Sequence, residues 1–245
     1  MANFPRSVLI LDNDIFHVTW KCHNDDWLLS SDFAKSLYYK LLLKYKNQYG
    51  MIFHSYCFMD NHPHLTGKCT TQKLMSDFFR VVNSCFAKTM NKFLARKGQV
   101  VMDRFKSPTA ENQDQLLRMI IYTDMNPART VRSIHPKEHR WSSYQHYAYG
   151  KSDDLLTDPE CYLELGNTPK ERQKNYRNMI QEIFENDSKV KKYHNPFKQQ
   201  NGRQRFFIGN PSWARSRHEE LLEVARDKKK QWLAKKMIRE KQFVT

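Results

Sequence analysis

Residues 51–69, MIFHSYCFMDNHPHLTGKC, decide how the chain is read. MIFHSYCFM (51–59) is an apolar and aromatic run of strand length. HPHLTGKC (62–69) follows after Asp60-Asn61, a pair whose short polar side chains bond to nearby backbone in turns. Two such runs split by a turn predict a β-hairpin. His62 and His64 are two apart in its second strand, so both imidazoles leave the same face. That spacing suits two ligands of one metal ion, although a His-x-His more commonly has ordinary structural roles.

Working outward, IFHVTW (15–20) alternates and is rich in β-branched and aromatic residues, which predicts an earlier strand. Between it and the hairpin, Ser31 and Asp32 open a helix with Phe33, Leu37, Leu41 and Tyr45 on one face, ending near Gly50. After the hairpin, residues 71–97 predict a long helix with Leu74, Phe78, Val81, Val82 and Cys85 at helical spacing and Gly98 beyond its end. QVVMDRFKS (99–107) reads as another strand. A helix over about 113–125 follows, ended by Asn126-Pro127 because the residue before proline leaves helical geometry. The order β-α-β-β-α-β-α predicts an α+β fold: a ferredoxin-like antiparallel sheet with helices on one face.

The pattern changes after WSSYQHYAYG (141–150), so residues 1–150 are expected as one domain and 151–245 as a helical, basic extension. Thr168-Pro169-Lys170-Glu171 has a capping-box pattern and starts a helix to about Phe184. Residues 187–212 read as a polar connector, and 213–241 as a long helix carrying Lys228, Lys229 and Lys230.

Charge narrows the function. The 245 residues carry 41 basic and 26 acidic side chains, net +15. Residues 1–150 hold 20 basic and 12 acidic groups, net +8, whereas residues 189–245 hold 16 and 5, net +11. A tail this basic suits a polyanion, with nucleic acid foremost; a solvated helix face accounts for it equally well. Hydrophobic residues make up 40%, enough for a sizeable core and too many for a wholly disordered chain. No run approaches the ~20 apolar residues of a membrane span. Residues 1–14 lack a signal-peptide layout. The five cysteines form no CxxC, which suits reduced thiols in a cytoplasm.

Three groups of residues suit chemistry on phosphates. Tyr122 and Asn126, four apart on one helix, share a face. A phenol can attack phosphorus, but its pKa of about 10 requires a metal or cationic surroundings. An amide oxygen suits a hard cation; alternatively Tyr122 is a packing residue and Asn126 a helix cap. Arg104, Lys106 and Ser107 can neutralise and hydrogen-bond phosphates, or mark an exposed strand end. Lys228, Lys229 and Lys230 add a candidate DNA-binding surface.

Taken together, MDNHPHLTGK, GQVVMDRFKS, IIYTDMNPAR and HRWSSY resemble the motifs of the REP-associated tyrosine transposases, a branch of the single-tyrosine HUH transposases. Met59 to His64 correspond to that family's turn and His-x-His strand, Gly98 to Ser107 to its Arg-Phe-Lys-Ser stretch, Tyr122 to Arg129 to its Tyr-x-x-x-Asn-Pro-x-Arg stretch, and Trp141 to Tyr144 to its Trp-Ser-Ser-Tyr. His17-Val18 correspond to an early strand. The resemblance covers about residues 10–150 and continues more loosely into the extension. Asp60 stands where proline is common. Pro63 replaces a bulky apolar residue, so that position must lie at a sheet edge or go without a ladder bond.

The resemblance implies cleavage of single-stranded DNA and strand transfer through a 5′-phosphotyrosine on Tyr122. Mg²⁺ or Mn²⁺ would be held by His62, His64 and Asn126, and Arg129 would join the DNA-binding residues. Partners implied are single-stranded or hairpin DNA, with the protein a monomer or homodimer. Two competing classes are a non-catalytic hairpin-binding relative and a zinc hydrolase built on His62 and His64, the latter without a third strong ligand nearby.

Overall fold

The computed structural model describes residues 10–129, 134–185 and 207–242, with side chains to residue 231. Alternating and apolar segments form β1 (Ile15–Thr19), β2 (Met51–Phe58) and β3 (Pro63–Cys69). Between β1 and β2 runs α1 (Asp32–Lys46), whose N-cap Ser31 accepts the Ala34 N–H at 3.2 Å. After β3 comes α2 (Gln72–Phe93), capped by Thr71, which accepts the Leu74 N–H at 3.2 Å. Each cap satisfies an amide that the first helical turn leaves without a partner. β4 (Thr109–Ala110) completes a β-α-β-β-α-β unit.

The sheet order is β2-β3-β1-β4-β5, where β5 is Phe207–Ile208. Its first four strands pair antiparallel in the ferredoxin-like order, and β5 adds to β4 in parallel. β3 passes very close to β2: a Cβ at Gly67 would lie 2.1 Å from the Ile52 carbonyl oxygen. Only glycine fits there, beside the register shift between Phe53 and Ser55. Pro63 is the first residue of β3, a position where the missing N–H is tolerated.

On one face, Phe16, Val18, Phe53 and Leu65 of the sheet pack with Tyr38 and Leu42 of α1 and Met75, Phe78, Phe79 and Phe86 of α2. A fully buried phenylalanine contributes about 1.5–3 kcal/mol. α3 (Gln113–Asp124) lies on the opposite face, with Thr123 against Thr66 of β3. Its outer side meets α4 (Tyr144–Tyr149), α5 (Glu160–Leu163) and α6 (Pro169–Glu185). There Leu116, Met119 and Ile120 share a core with Tyr147, Tyr162, Tyr176 and Ile180. The Thr168–Glu171 capping box forms as its sequence predicts, with both reciprocal bonds present.

α7 (Pro211–Gln242) follows β5. Ala214 and Leu221 pack with Phe207, and Arg217 pairs with Asp14 near the start of β1. The outer sides of β2 and β4 are both paired. β5 lies along β4, and β2 meets the segments around Ser142 and Leu156 through bridges at Cys57 and Phe53. Among the described residues, no helix is long and apolar enough to cross a membrane. All five cysteines are free thiols.

Three expectations need correction. Residues 99–107 form no strand: Val101 and Lys106 make isolated bridges to Cys22 and Thr19, and the ladder begins at Thr109. Phe105 turns inward against Phe79, and Pro108 offers no N–H. α2 ends at Phe93 rather than 97, where Ala95 takes a left-handed φ of 49°. Part of the expected 187–212 connector is strand β5; residues 187–206 lie outside the described residues, as do the side chains of Trp232 and Leu233.

Candidate active site

The face of the sheet turned toward α3 carries the unusual side chains. β1 and β3 pair with Thr19 opposite His64 and His17 opposite Thr66. Paired residues share a face, so His17 and His64 emerge together beneath α3. His17 Nε2 lies 3.1 Å from His64 Nδ1. The His62 ring centroid is 4.8 Å from that of His64. Tyr122 of α3 stands edge-on to both buried imidazoles, 5.9 Å from His64 and 6.1 Å from His17.

Local structure explains why Tyr122 points there. Asn112 caps α3, accepting the Gln115 N–H at 3.1 Å. Near its C-terminal end, Ser55 donates to Thr66 at 2.8 Å, and Thr66 lies 3.3 Å from Thr123 Oγ1, fixing the helix against the sheet. The Asn126 amide nitrogen donates to the Tyr122 and Thr123 carbonyls at 2.9 and 3.2 Å. Asn126 is therefore a C-terminal cap through its nitrogen, and its side-chain oxygen is the atom left for a cation. The chain then turns through Pro127–Arg129, which brings the Arg129 guanidinium 4.7 Å from the centre of the Tyr122 ring. This is a cation–π distance.

Burial sets the electrostatics. It lowers the His17 pKa to about 3 and the His62 pKa to about 4, and with neighbouring imidazoles and Arg129 it holds His64 well below the usual range. All three are neutral at pH 7, the state in which imidazole ligates metals. Burial also raises the Tyr122 pKa, opposed by Arg129. The phenol is thus protonated at neutral pH, and its deprotonation needs added positive charge.

The nitrogens fit a cation. His62 Nδ1 is 2.6 Å from Asn61 Oδ1, an acceptor, so Nδ1 carries the proton and Nε2 keeps its lone pair. His64 Nε2 is buried with no hydrogen-bond partner. Among the described residues, no group of three or more His, Cys, Asp or Glu is arranged to hold a metal. The candidate ligands are therefore ring nitrogens of His62 and His64, with Asn126, just past the end of the helix that carries Tyr122, offering its side-chain oxygen.

The remaining expected residues are spread more widely. Lys106 faces Thr19 in an isolated bridge, so its side chain leaves the sheet on the face shared with His64. Arg104 is exposed, and Ser107 is buried. Lys228, Lys229 and Lys230 are exposed on α7; Lys228 lines a groove with Asp12, Thr71 and Lys73 that includes none of the residues around Tyr122. Reading the residues one by one gave His17 no chemical role, although its place in the alternating IFHVT strand was the available signal. Asp124 also went unread. It is fully buried and accepts from Ser143 Oγ and Tyr176 OH at 2.6 Å each, joining α3 to α4 and α6.

No protein-family model and no curated protein matches the sequence. Among solved structures, the chain is similar to a REP-associated tyrosine transposase bound to a REP hairpin, with a TM-score of 0.50 and 13% identity. The match covers 65% of this chain and 93% of that one. At that identity, the likeness establishes that this chain shares the fold of that transposase.

Proposed function

We propose that this protein binds DNA hairpins and cleaves and rejoins single-stranded DNA through a 5′-phosphotyrosine on Tyr122. The observation that carries the reading is the setting of Tyr122, edge-on to His17 and His64 with Arg129 over its ring. A mere packing tyrosine does not call for buried neutral imidazoles on one side and a guanidinium beside it. The shared fold with a hairpin-bound transposase, the +15 net charge and the four sequence motifs support the same reading.

The Tyr122 oxygen attacks the phosphorus of a bound strand. An O–P bond forms, the bond to the 3′ oxygen breaks, and the proton lost by the phenol is balanced by protonation of the departing 3′ oxygen, which leaves as a hydroxyl. The phosphodiester energy is retained in the tyrosine linkage, so a 3′-hydroxyl can reverse the step and rejoin strands. Arg129 favours the phenolate by its charge. His62, His64 and Asn126 would hold Mg²⁺ or Mn²⁺, which supplies charge stabilisation at the phosphate when bound. Lys106 and Arg104 neutralise backbone phosphates beside the site, and Lys228, Lys229 and Lys230 extend that attraction along α7. The second reading, a hairpin binder without catalysis, draws on the raised pKa of Tyr122.

The test is covalent trapping on a labelled hairpin oligonucleotide with a single-stranded flank, in Mn²⁺, followed by denaturing electrophoresis. Wild type is expected to give an adduct; Tyr122→Phe keeps the ring and is expected to bind without forming one. An adduct in Tyr122→Phe would move the nucleophile elsewhere, and no adduct in wild type would favour the binder.

A further inference from the structure

His17 is 1% exposed and lies beneath α3, far from where a surface histidine would sit. Its Nε2 meets Nδ1 of His64 at 3.1 Å, with the rings tilted by 43°. Between two neutral imidazoles, such a contact needs one nitrogen to donate and the other to accept. The direction decides the chemistry left at His64 Nε2. If His17 donates, Nε2 of His64 carries a buried hydrogen and cannot ligate. If His64 donates, Nε2 carries a lone pair in the same place.

The neighbouring histidine points to the second arrangement. His62 gives its Nδ1 hydrogen to Asn61 Oδ1 at 2.6 Å and keeps the lone pair on Nε2. With His64 donating to His17, both imidazoles adopt the same tautomer. Two lone pairs are then left on rings whose centroids are 4.8 Å apart, and one of them is buried without a protein partner. Histidines that ligate metals characteristically donate the other ring N–H to an acceptor that fixes tautomer and ring orientation. Asn61 has that place for His62, and His17 is set to have it for His64.

We propose that His17 is a positioning residue whose Nε2 accepts the His64 Nδ1 hydrogen and so keeps His64 Nε2 unprotonated and able to ligate. The metal half of this inference rests on the function proposed above; the tautomer half rests on the His17–His64 contact, which admits either direction, together with the parallel bond from His62 to Asn61. Strand register is what makes it work: His17 and His64 are 47 residues apart in sequence and meet because β1 pairs with β3.

The experiment has two readouts on the full chain. Long-range ¹H–¹⁵N correlation spectra of the metal-free protein report which nitrogen of His64 is protonated, with His64→Gln used for assignment. Wild type is expected to show Nδ1 protonated and Nε2 bare. His17→Gln, whose amide oxygen can accept near the same point, should preserve that pattern. His17→Phe, which keeps a ring but no acceptor, should shift protonation toward Nε2. Mn²⁺ titration followed by electron paramagnetic resonance is the second readout. His17→Phe should bind about 10–100-fold more weakly, and His17→Gln should recover most of the loss. Wild-type His64 protonated at Nε2 would overturn the proposal without any variant. So would a folded His17→Phe with the wild-type tautomer and Mn²⁺ affinity. If wild type binds no Mn²⁺ at all, the metal-dependent reading of the site fails, and the spectra still decide the role of His17.

Discussion

Against α1 and α2, the central strands present Phe16, Val18, Phe53 and Leu65; against α3, the same strands present His17, Ser55, His64 and Thr66. On β1 and β3 the two sets alternate residue by residue, because a strand turns successive side chains to opposite faces; on β2 the register shift between Phe53 and Ser55 sends these two, although two apart, to opposite sides. The first face holds a dry core of aromatic and aliphatic groups. The second holds neutral imidazoles, hydroxyls and a phenol within a few ångströms of each other. The strands therefore supply stability from one side and candidate chemistry from the other, and a single register fixes both.

The largest test of this separation is His64→Ala or His62→Ala. Either should abolish Mn²⁺-dependent DNA cleavage while the purified protein keeps its circular dichroism spectrum. Cleavage by both variants at the wild-type rate would place the chemistry off this face. The converse substitution is Phe78→Ala on α2. It should cost about 3–5 kcal/mol of stability in urea unfolding, as removal of a buried phenylalanine does. Adduct formation per folded molecule should stay unchanged; a proportionate loss would show that the faces are coupled.

A pH experiment sharpens the comparison. Burial raises the Asp124 carboxyl from 3.8 to about 7, outweighing the hydrogen bonds from Ser143 and Tyr176. The folded protein then holds a proton that the unfolded chain releases, so this group lowers stability as pH rises from about 4 to 7. His17, His62 and His64 act in the opposite direction. Their lowered pKa values mean that unfolding takes up protons below 6.5, and their contribution is lost as pH falls. The difference between wild type and Asp124→Asn, measured by urea midpoints across pH 4.5–8, should isolate the falling slope. A pH-independent difference would mean that Asp124 is ionised throughout.

Asn126→Ala should be milder, costing about 1 kcal/mol through the absent capping bonds. It should weaken Mn²⁺ binding less than removal of either histidine. Wild-type Mn²⁺ affinity in this variant would leave Asn126 as a cap alone. Smallest is the effect of replacing Lys228, Lys229 and Lys230 with alanine. For every phosphate that these lysines neutralise, the substitution should reduce the log–log salt slope of single-strand binding by about 0.7. An unchanged slope would make them a solvated surface.

The hairpin, the two long helices and the tyrosine helix were legible because each carries its own signal: apolar runs split by Asp60-Asn61, caps at Ser31 and Thr71, and a stop at Asn126-Pro127. His62, His64, Tyr122 and Arg129 were legible as motifs, and the structure gathers them. What could not be read depends on contacts between distant segments. His17 gains meaning only from the β1–β3 register, and Asp124 only from Ser143 and Tyr176. β5 is two residues long and has no period to detect. Residues 99–107 have strand composition, but Phe105 turns into the core ahead of Pro108.

The late pairing of β2 and β4 with segments from further along the chain has a consequence for synthesis. β2 is closed by segments near residues 142 and 156, and β4 by residues 207–208. A ribosome releases the whole β-α-β-β-α-β unit before any of these emerge. For that interval the nascent chain carries two open strand edges, which are templates for pairing with other chains. Slower elongation just after β4 should lengthen this exposure and raise the aggregated fraction, whereas supplying chaperone during translation should lower it.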